Sequence, residues 1–185
     1  MFPAFLLLPM RLLMLARALF GGASAQYYVA RAYYAGKNGF PRDSAKAAHW
    51  GLKSASRDHP IAQLMMGELY AAGLGVPPDK ANAYLWFRKA ADQRLPAAIH
   101  SVGWCFEQGF GVPRNYEKAF ACWLEAAKLG FGESQMAVAE CYAQGQGVAT
   151  DTREAISWYR RALDSGIQRA ADQIKKLQAG SSHHT

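Results

Sequence analysis

The sequence repeats itself four times, at intervals of 36 or 37 residues. Each copy begins with an alanine-rich segment that ends in an aromatic residue, and a glycine-containing turn follows. A period of this length is typical of solenoids, in which each unit is one supersecondary element that buries its apolar surface only against its neighbours. The spacing predicts repeats at residues 25–61, 62–97, 98–133 and 134–170.

Each copy predicts two helices joined by a turn. In the second copy, Ala62, Met66 and Leu69 recur at offsets of three and four, which makes one apolar helical face. Gly73 and Gly75 follow, and glycine takes the positive φ with which a helix ends and the chain reverses. Four residues at the same phase are suited to cap the second helix: Asp43, Asp79, Asn115 and Asp151.

The complete pattern resembles a known repeat family. The second copy carries nearly all of its motif: Ala62, Gln63, Gly67, Tyr70, Gly73, Gly75, Val76, Asp79, Ala83, Trp86, Phe87, Lys89, Ala90 and Ala91. Residues 25–170 closely resemble the Sel-one-like repeat family, relatives of the tetratricopeptide repeats. The resemblance implies an all-α, right-handed α/α solenoid of four helix-turn-helix repeats with a capping helix at each end. The first copy departs most from the motif, since Gly51 replaces the second aromatic, and looser packing is expected there.

The segment before the first repeat, residues 1–24, has two interpretations. It is nearly all apolar, and Ala23-Ser24-Ala25 is typical of the cleavage site of an export signal. Alternatively, Arg11–Phe20 occupies the place of the second helix of a preceding repeat and caps the stack. At the other end, residues 171–178 are expected to form a capping helix with Ile174 and Leu177 on its apolar edge. Residues 179–185 are expected to be a flexible tail.

Charge is concentrated in the first third of the chain. Residues 1–61 hold eight Lys/Arg and two Asp/Glu, a net charge of +6, and the remaining residues hold thirteen and twelve, a net charge of +1. A basic surface attracts anionic partners. Electrostatic binding to nucleic acid or to an anionic membrane surface is therefore an alternative function, although no base-recognition motif accompanies the charge.

No catalytic or metal-binding motif is found in the sequence. It lacks a nucleophile elbow, a phosphate-binding loop, a dinucleotide fingerprint and any zinc pattern, so neither an enzyme activity nor a cofactor is expected. Cys105 and Cys141 lie one repeat apart at equivalent helical positions, which predicts buried, small apolar side chains. Three sparse cysteines favour a reducing, cytoplasmic compartment, whereas cleavage of residues 1–25 would imply export.

The resemblance also implies a function. Proteins similar to this one are adaptors that dock a partner protein or peptide on the concave face, which the first helices line. Residues that the motif does not fix are the ones free to give specificity. Those predicted to bind a partner of unknown identity are Tyr28, Arg31, Tyr34, Met65, Glu68, Ser101, Trp104, Glu107 and Glu140. Trp104 is either an interface anchor or a residue packed against the adjacent repeat.

Overall fold

The computed structural model describes residues 10–181, and this part of the chain contains ten helices and no strand. It divides into two compact units between Gln93 and Arg94. Unit 1 contains α1 (Met10–Phe20), α2 (Ala23–Ala35), α3 (Ser44–Ala55), α4 (Pro60–Ala72) and α5 (Lys80–Asp92). Unit 2 contains α6 (Pro96–Gln108), α7 (Tyr116–Lys128), α8 (Gly132–Gln144), α9 (Thr152–Asp164) and α10 (Ala170–Ser181). Each unit therefore holds two helix pairs, one per repeat.

All four predicted caps of the second helices are confirmed. The Asp43 carboxylate accepts a hydrogen bond from the Lys46 N–H at 2.9 Å, and Asn115 accepts one from the Lys118 N–H at 2.7 Å. Asp79 and Asp151 cap α5 and α9 in the same way. These bonds satisfy amide groups that have no partner within the helix, and they fix where α3, α5, α7 and α9 begin.

The first helices begin about two residues before the predicted boundaries. Their N-caps are His59, Leu95 and Phe131, of which only His59 supplies a side-chain hydrogen bond. Pro60 and Pro96 are the first residues of α4 and α6. Proline suits this position because the amide that it lacks would have no helical partner there.

The His59 cap makes the start of α4 sensitive to pH. The His59 Nδ1 accepts a hydrogen bond from the Ala62 N–H at 3.2 Å, which requires that this nitrogen carry no proton. Burial lowers the pKa of His59 below its ordinary value of 6.5. Since the folded pKa lies below the unfolded one, stability is fully present above pH 6.5 and is lost as the pH falls. A protonated ring also opposes the positive end of the helix dipole.

We predict that His59→Asn leaves the melting temperature at pH 7 nearly unchanged, because asparagine caps a helix equally well. It should reduce the fall in melting temperature between pH 7 and pH 5, which thermal melts by circular dichroism would measure. Burial likewise lowers the pKa of His100, in unit 2, so part of the slope should remain. An identical slope in parent and variant would contradict the assignment.

The predicted positive φ of the turn glycines is confirmed. Gly75 has φ of +75° and Gly111 of +73°. A Cβ atom on Gly75 would lie 2.0 Å from the carbonyl oxygen of Ser44, and one on Gly147 would lie 2.2 Å from that of Tyr116. In both units, the turn of one repeat thus lies directly on the first residue of the preceding repeat's second helix.

A second close approach lies inside the repeats. A Cβ atom on Gly67 would lie 2.4 Å from two ring carbons of Phe87, and one on Gly103 would lie 2.6 Å from the Trp123 Nε1. The small residue of the first helix therefore accommodates the aromatic ring of its own partner helix. The expectation of looser packing in the first repeat is wrong. Gly51 is buried, α2 and α3 are in close contact, and the Met66 sulfur lies 3.0 Å from where a Cβ would be.

Glutamine side chains join one repeat to the next. The Gln63 Nε2 donates to the Ala55 carbonyl at 3.3 Å, and the Gln135 Nε2 donates to that of Ala127 at 3.4 Å. The Gln26 Nε2 makes the equivalent bond to the carbonyl of Ala18 in α1, also at 3.3 Å. The helix α1 therefore lies where the second helix of a preceding repeat would lie.

The C-terminal helix covers the end of unit 2. Ile174 and Leu177 pack against the core, as predicted, while Lys175 and Lys176 are exposed. The predicted boundary before the tail is wrong, because α10 continues to Ser181. No proline or left-handed glycine within that stretch ends the helix. The rest of the predicted tail, like residues 1–9, lies outside the described residues.

Candidate functional site

In unit 1, the first helices α2 and α4 enclose an open recess of about 210 Å³. Its lining combines aliphatic, tyrosine and charged side chains: Tyr27, Arg31, Tyr34, Ile61, Leu64, Met65, Glu68 and Leu69. Four of the nine predicted partner-binding residues are among them. Small-molecule and cofactor sites usually enclose roughly 300–1,000 Å³. The recess is smaller, and it is suited to one large side chain of a peptide.

The predicted partner-binding residues of unit 1 differ in their solvent exposure. Tyr34 and Ile61 stand at the rim with 40% and 43% of their surface exposed. Met65 differs from the prediction, because it is buried in the core and contributes only to the floor. Tyr28 lies outside the recess and lines two further depressions beside α1, of about 220 and 390 Å³.

The recess carries one group of each charge. Arg31 is exposed on α2, and Glu68 lies one repeat further on, on α4. Desolvation by the surrounding apolar side chains raises the pKa of Glu68 above its ordinary value of 4.5. Glu68 remains exposed, so its carboxylate can pair with a cation or an N–H donor on a ligand.

In unit 2, α6 and α8 carry the remaining predicted residues. The Trp104 ring packs on Phe110 in the turn of its own repeat, with 4.9 Å between ring centroids, and 37% of the residue stays exposed. Glu140 is exposed, whereas Glu107 and Ser101 are half-buried. The Ser101 hydroxyl donates to the Ala97 carbonyl of its own helix at 3.0 Å, so its hydrogen is already engaged.

Carboxylates dominate the electrostatics of this surface. Desolvation raises the pKa of Glu140, and the negative charges of Glu107 and Glu133 raise it further, while Arg169 opposes them. Glu133 is itself ion-paired with Arg169. A surface with more carboxylates than cations is suited to a partner that presents cationic groups.

Sequence reasoning missed the structural role of His100. Its Nδ1 lies 2.9 Å from the Ser134 hydroxyl, and its carbonyl accepts a hydrogen bond from the Trp123 Nε1 at 3.2 Å. It therefore joins α6 to both α7 and α8. No repeat signal could have shown this, because His100 has no histidine counterpart in the other copies.

Cys105 and Cys141 are buried free thiols, as predicted. Desolvation raises the pKa of each to about 12. Both are therefore neutral at physiological pH, and since the thiolate is the reactive form, they contribute packing and not nucleophilic chemistry.

Among residues 10–181, no group of three or more His, Cys, Asp or Glu side chains could hold a metal ion. Over the same stretch, every helix is too short or too polar to cross a membrane.

Comparison with known proteins identifies the repeat. The Sel1 repeat family model matches residues 23–59, 60–95, 96–131 and 132–167. A Sel1 repeat protein from Oxalobacter formigenes superimposes with a TM-score of 0.83 and 29% identity over 89% of this chain and 65% of its own. A protective antigen of uropathogenic Escherichia coli with an SLR fold gives a TM-score of 0.88 and 27% identity, covering 92% of this chain and 36% of the antigen.

A curated relative matches over a shorter stretch. The ERAD-associated E3 ubiquitin-protein ligase component HRD3A of Arabidopsis thaliana is 41% identical over 51 residues, which is 28% of this chain and 8% of that protein. The chain thus spans only a small part of this relative and less than two thirds of the two solved chains. The matched residues include all four helix pairs and confirm the predicted all-α repeat fold. The chain belongs to the Sel1 repeat family.

Proposed function

We propose that this protein is a non-catalytic adaptor that docks a partner peptide on the surfaces formed by its first helices. Sel1 repeat proteins generally serve in protein interaction, which sets the class of function. The observation that carries the finer proposal is the recess between α2 and α4. It is too small for most cofactors, has an apolar floor, and holds the exposed Glu68 carboxylate, whose pKa is raised by partial desolvation, at its edge.

In unit 1, a partner inserts one apolar side chain between Tyr34 and Leu64. Glu68 and Arg31 then pair with the polar groups that flank this side chain. In unit 2, Trp104 offers a flat aromatic surface beside Glu107 and Glu140, which favours a basic segment of the partner. Aromatic anchors with a charged surround supply most of the binding energy in such interfaces.

We expect Tyr34→Ala/Glu68→Ala and, separately, Trp104→Ala to weaken partner binding about tenfold each, because each removes an anchor contact. The partner is identified by affinity capture from native lysate with mass spectrometry, and its dissociation constant is then measured by calorimetry for parent and variants. The matched control is Leu85→Ala, which removes a leucine that is 54% exposed on the second helix α5.

Unchanged circular dichroism together with weakened binding supports the proposal. Equal binding by parent and all variants would place the partner elsewhere on the surface. Loss of helical signal in Trp104→Ala would instead show that this side chain stabilises unit 2.

A further inference from the structure

The helix α1 is the second helix of a repeat that has no first helix among the described residues. The Ala18 carbonyl accepts a hydrogen bond from the Gln26 side chain, just as the Ala55 carbonyl accepts one from the Gln63 side chain. In α3, Ala47, Trp50 and Ser54 are buried, and the Ser54 hydroxyl donates to the Ala23 carbonyl of α2, the first helix of its own repeat. The equivalent positions of α1 are Met10, Leu13 and Arg17. None of them is covered, and Met10 and Leu13 are 63% and 49% exposed.

Apolar side chains extend over most of the circumference of α1. Leu12 is 48% exposed, Leu19 63% and Phe20 92%, in addition to Met10 and Leu13. Five large apolar side chains on one 11-residue helix far exceed the scattered exposure that is normal for a soluble surface. These five side chains form an exposed apolar ridge, and Met10 and Leu12 also line a depression of about 570 Å³ between α1 and the turn at Asn38.

The positive charge on and around this ridge restricts the kind of surface that the ridge can bind. Residues 10–42 contain five Lys/Arg and no Asp/Glu. Packing α1 against α1 of a second copy would therefore bring like charges together. A bilayer that contains anionic lipids complements both the apolar surface and the positive charge. Its interface accepts apolar side chains, and its headgroups attract cations.

We propose that α1 is an interfacial helix that binds unit 1 to an anionic membrane surface. Leu12, Leu19 and Phe20 enter the boundary between headgroups and acyl chains, and Arg11 and Arg17 contact lipid phosphates. The helix lies in the plane of the interface, because its 11 residues are far fewer than the roughly 20 that a membrane span needs. This inference does not rest on the peptide recess, whose residues belong to α2 and α4.

The test is sedimentation of the full-length chain with vesicles of phosphatidylcholine alone or with one quarter phosphatidylglycerol. We expect binding to the anionic vesicles and little to the neutral ones. Leu19→Ser/Phe20→Ser should reduce the partition coefficient at least tenfold, and Arg17→Gln should reduce it about fivefold, the value for one cation near such a surface. Leu85→Ser, on α5, is the matched control and should bind like the parent.

These substitutions affect exposed side chains, so the circular dichroism spectra should not change. Raising the salt concentration should weaken binding without abolishing it, since apolar insertion is insensitive to screening. Equal binding by Leu19→Ser/Phe20→Ser, or no binding to anionic vesicles, would overturn the proposal. A dimer that dissociates in this variant would assign the ridge to a second copy. An intact mass that shows removal of residues 1–25 from the natural protein would also overturn it. Tyr34→Ala should retain lipid binding whatever its effect on a peptide partner.

Discussion

Gly75→Ala is expected to lower the free energy of unfolding by about 3 kcal/mol or more, because two penalties combine at this residue. At φ of +75°, alanine strains the backbone by about 1–2 kcal/mol. In addition, its Cβ would lie 2.0 Å from the Ser44 carbonyl oxygen, and backbone at the start of α3 cannot rotate away as a side chain can. The turn and α3 would have to separate. Urea denaturation followed by circular dichroism measures the loss.

The appropriate control is Gly130→Ala. Gly130 also has a positive φ, +86°, but no other described residue comes within 4 Å of where its Cβ would be. Only the conformational penalty of about 1–2 kcal/mol should remain there. Gly147→Ala repeats the Gly75 test in unit 2, since its Cβ would approach the Tyr116 carbonyl in the same way. Equal losses in the free energy of unfolding for Gly75→Ala and Gly130→Ala would show that the close approach to the Ser44 carbonyl does not contribute.

Gly67→Ala should be the next most damaging change, with a net loss of about 2 kcal/mol. The added methyl group would lie 2.4 Å from two carbons of the Phe87 ring, which is itself buried and cannot turn away. The expected loss is notable because glycine to alanine inside a helix otherwise stabilises by about 1 kcal/mol. Thermal or urea unfolding of the variant measures the sum of the two effects.

A second substitution separates overpacking from other causes. In the Gly67→Ala background, Phe87→Leu removes the ring atoms that the methyl group meets, and it should recover part of the lost stability. In the parent, Phe87→Leu should destabilise by leaving space in the core. The two changes would then be strongly non-additive. Simple additivity would contradict the assigned contact.

The second helices could be predicted closely from the sequence because their signals are local. Asp43, Asp79, Asn115 and Asp151 each supply their own cap, so the residue type alone indicates where the helix starts. The N-caps of α6 and α8 are Leu95 and Phe131, which supply no side-chain hydrogen bond, so only an approximate boundary could be predicted for these helices. There the starting point depends on tertiary packing.

The candidate site could be predicted only in part. The exposure of Glu68 and Trp104 follows from their place outside the repeat motif, and the structure agrees. Met65 is buried because it lies at the edge between the core face and the exposed face, where helical periodicity does not decide. The bond between Gln26 and Ala18 was missed, although the recurrence of glutamine at 26, 63 and 135 was visible in the sequence.

The alkylation rates of the two buried cysteines report on local opening within unit 2. A buried, neutral thiol meets a dissolved alkylating reagent only while the helices around it are apart. The rate at which Cys105 or Cys141 reacts is therefore proportional to the fraction of time that its surroundings spend open. Unequal rates would reveal that the surroundings of one cysteine open while those of the other stay closed, which is a subglobal fluctuation of unit 2. Cys105 and Cys141 thus allow local opening to be measured separately in the third and the fourth repeat.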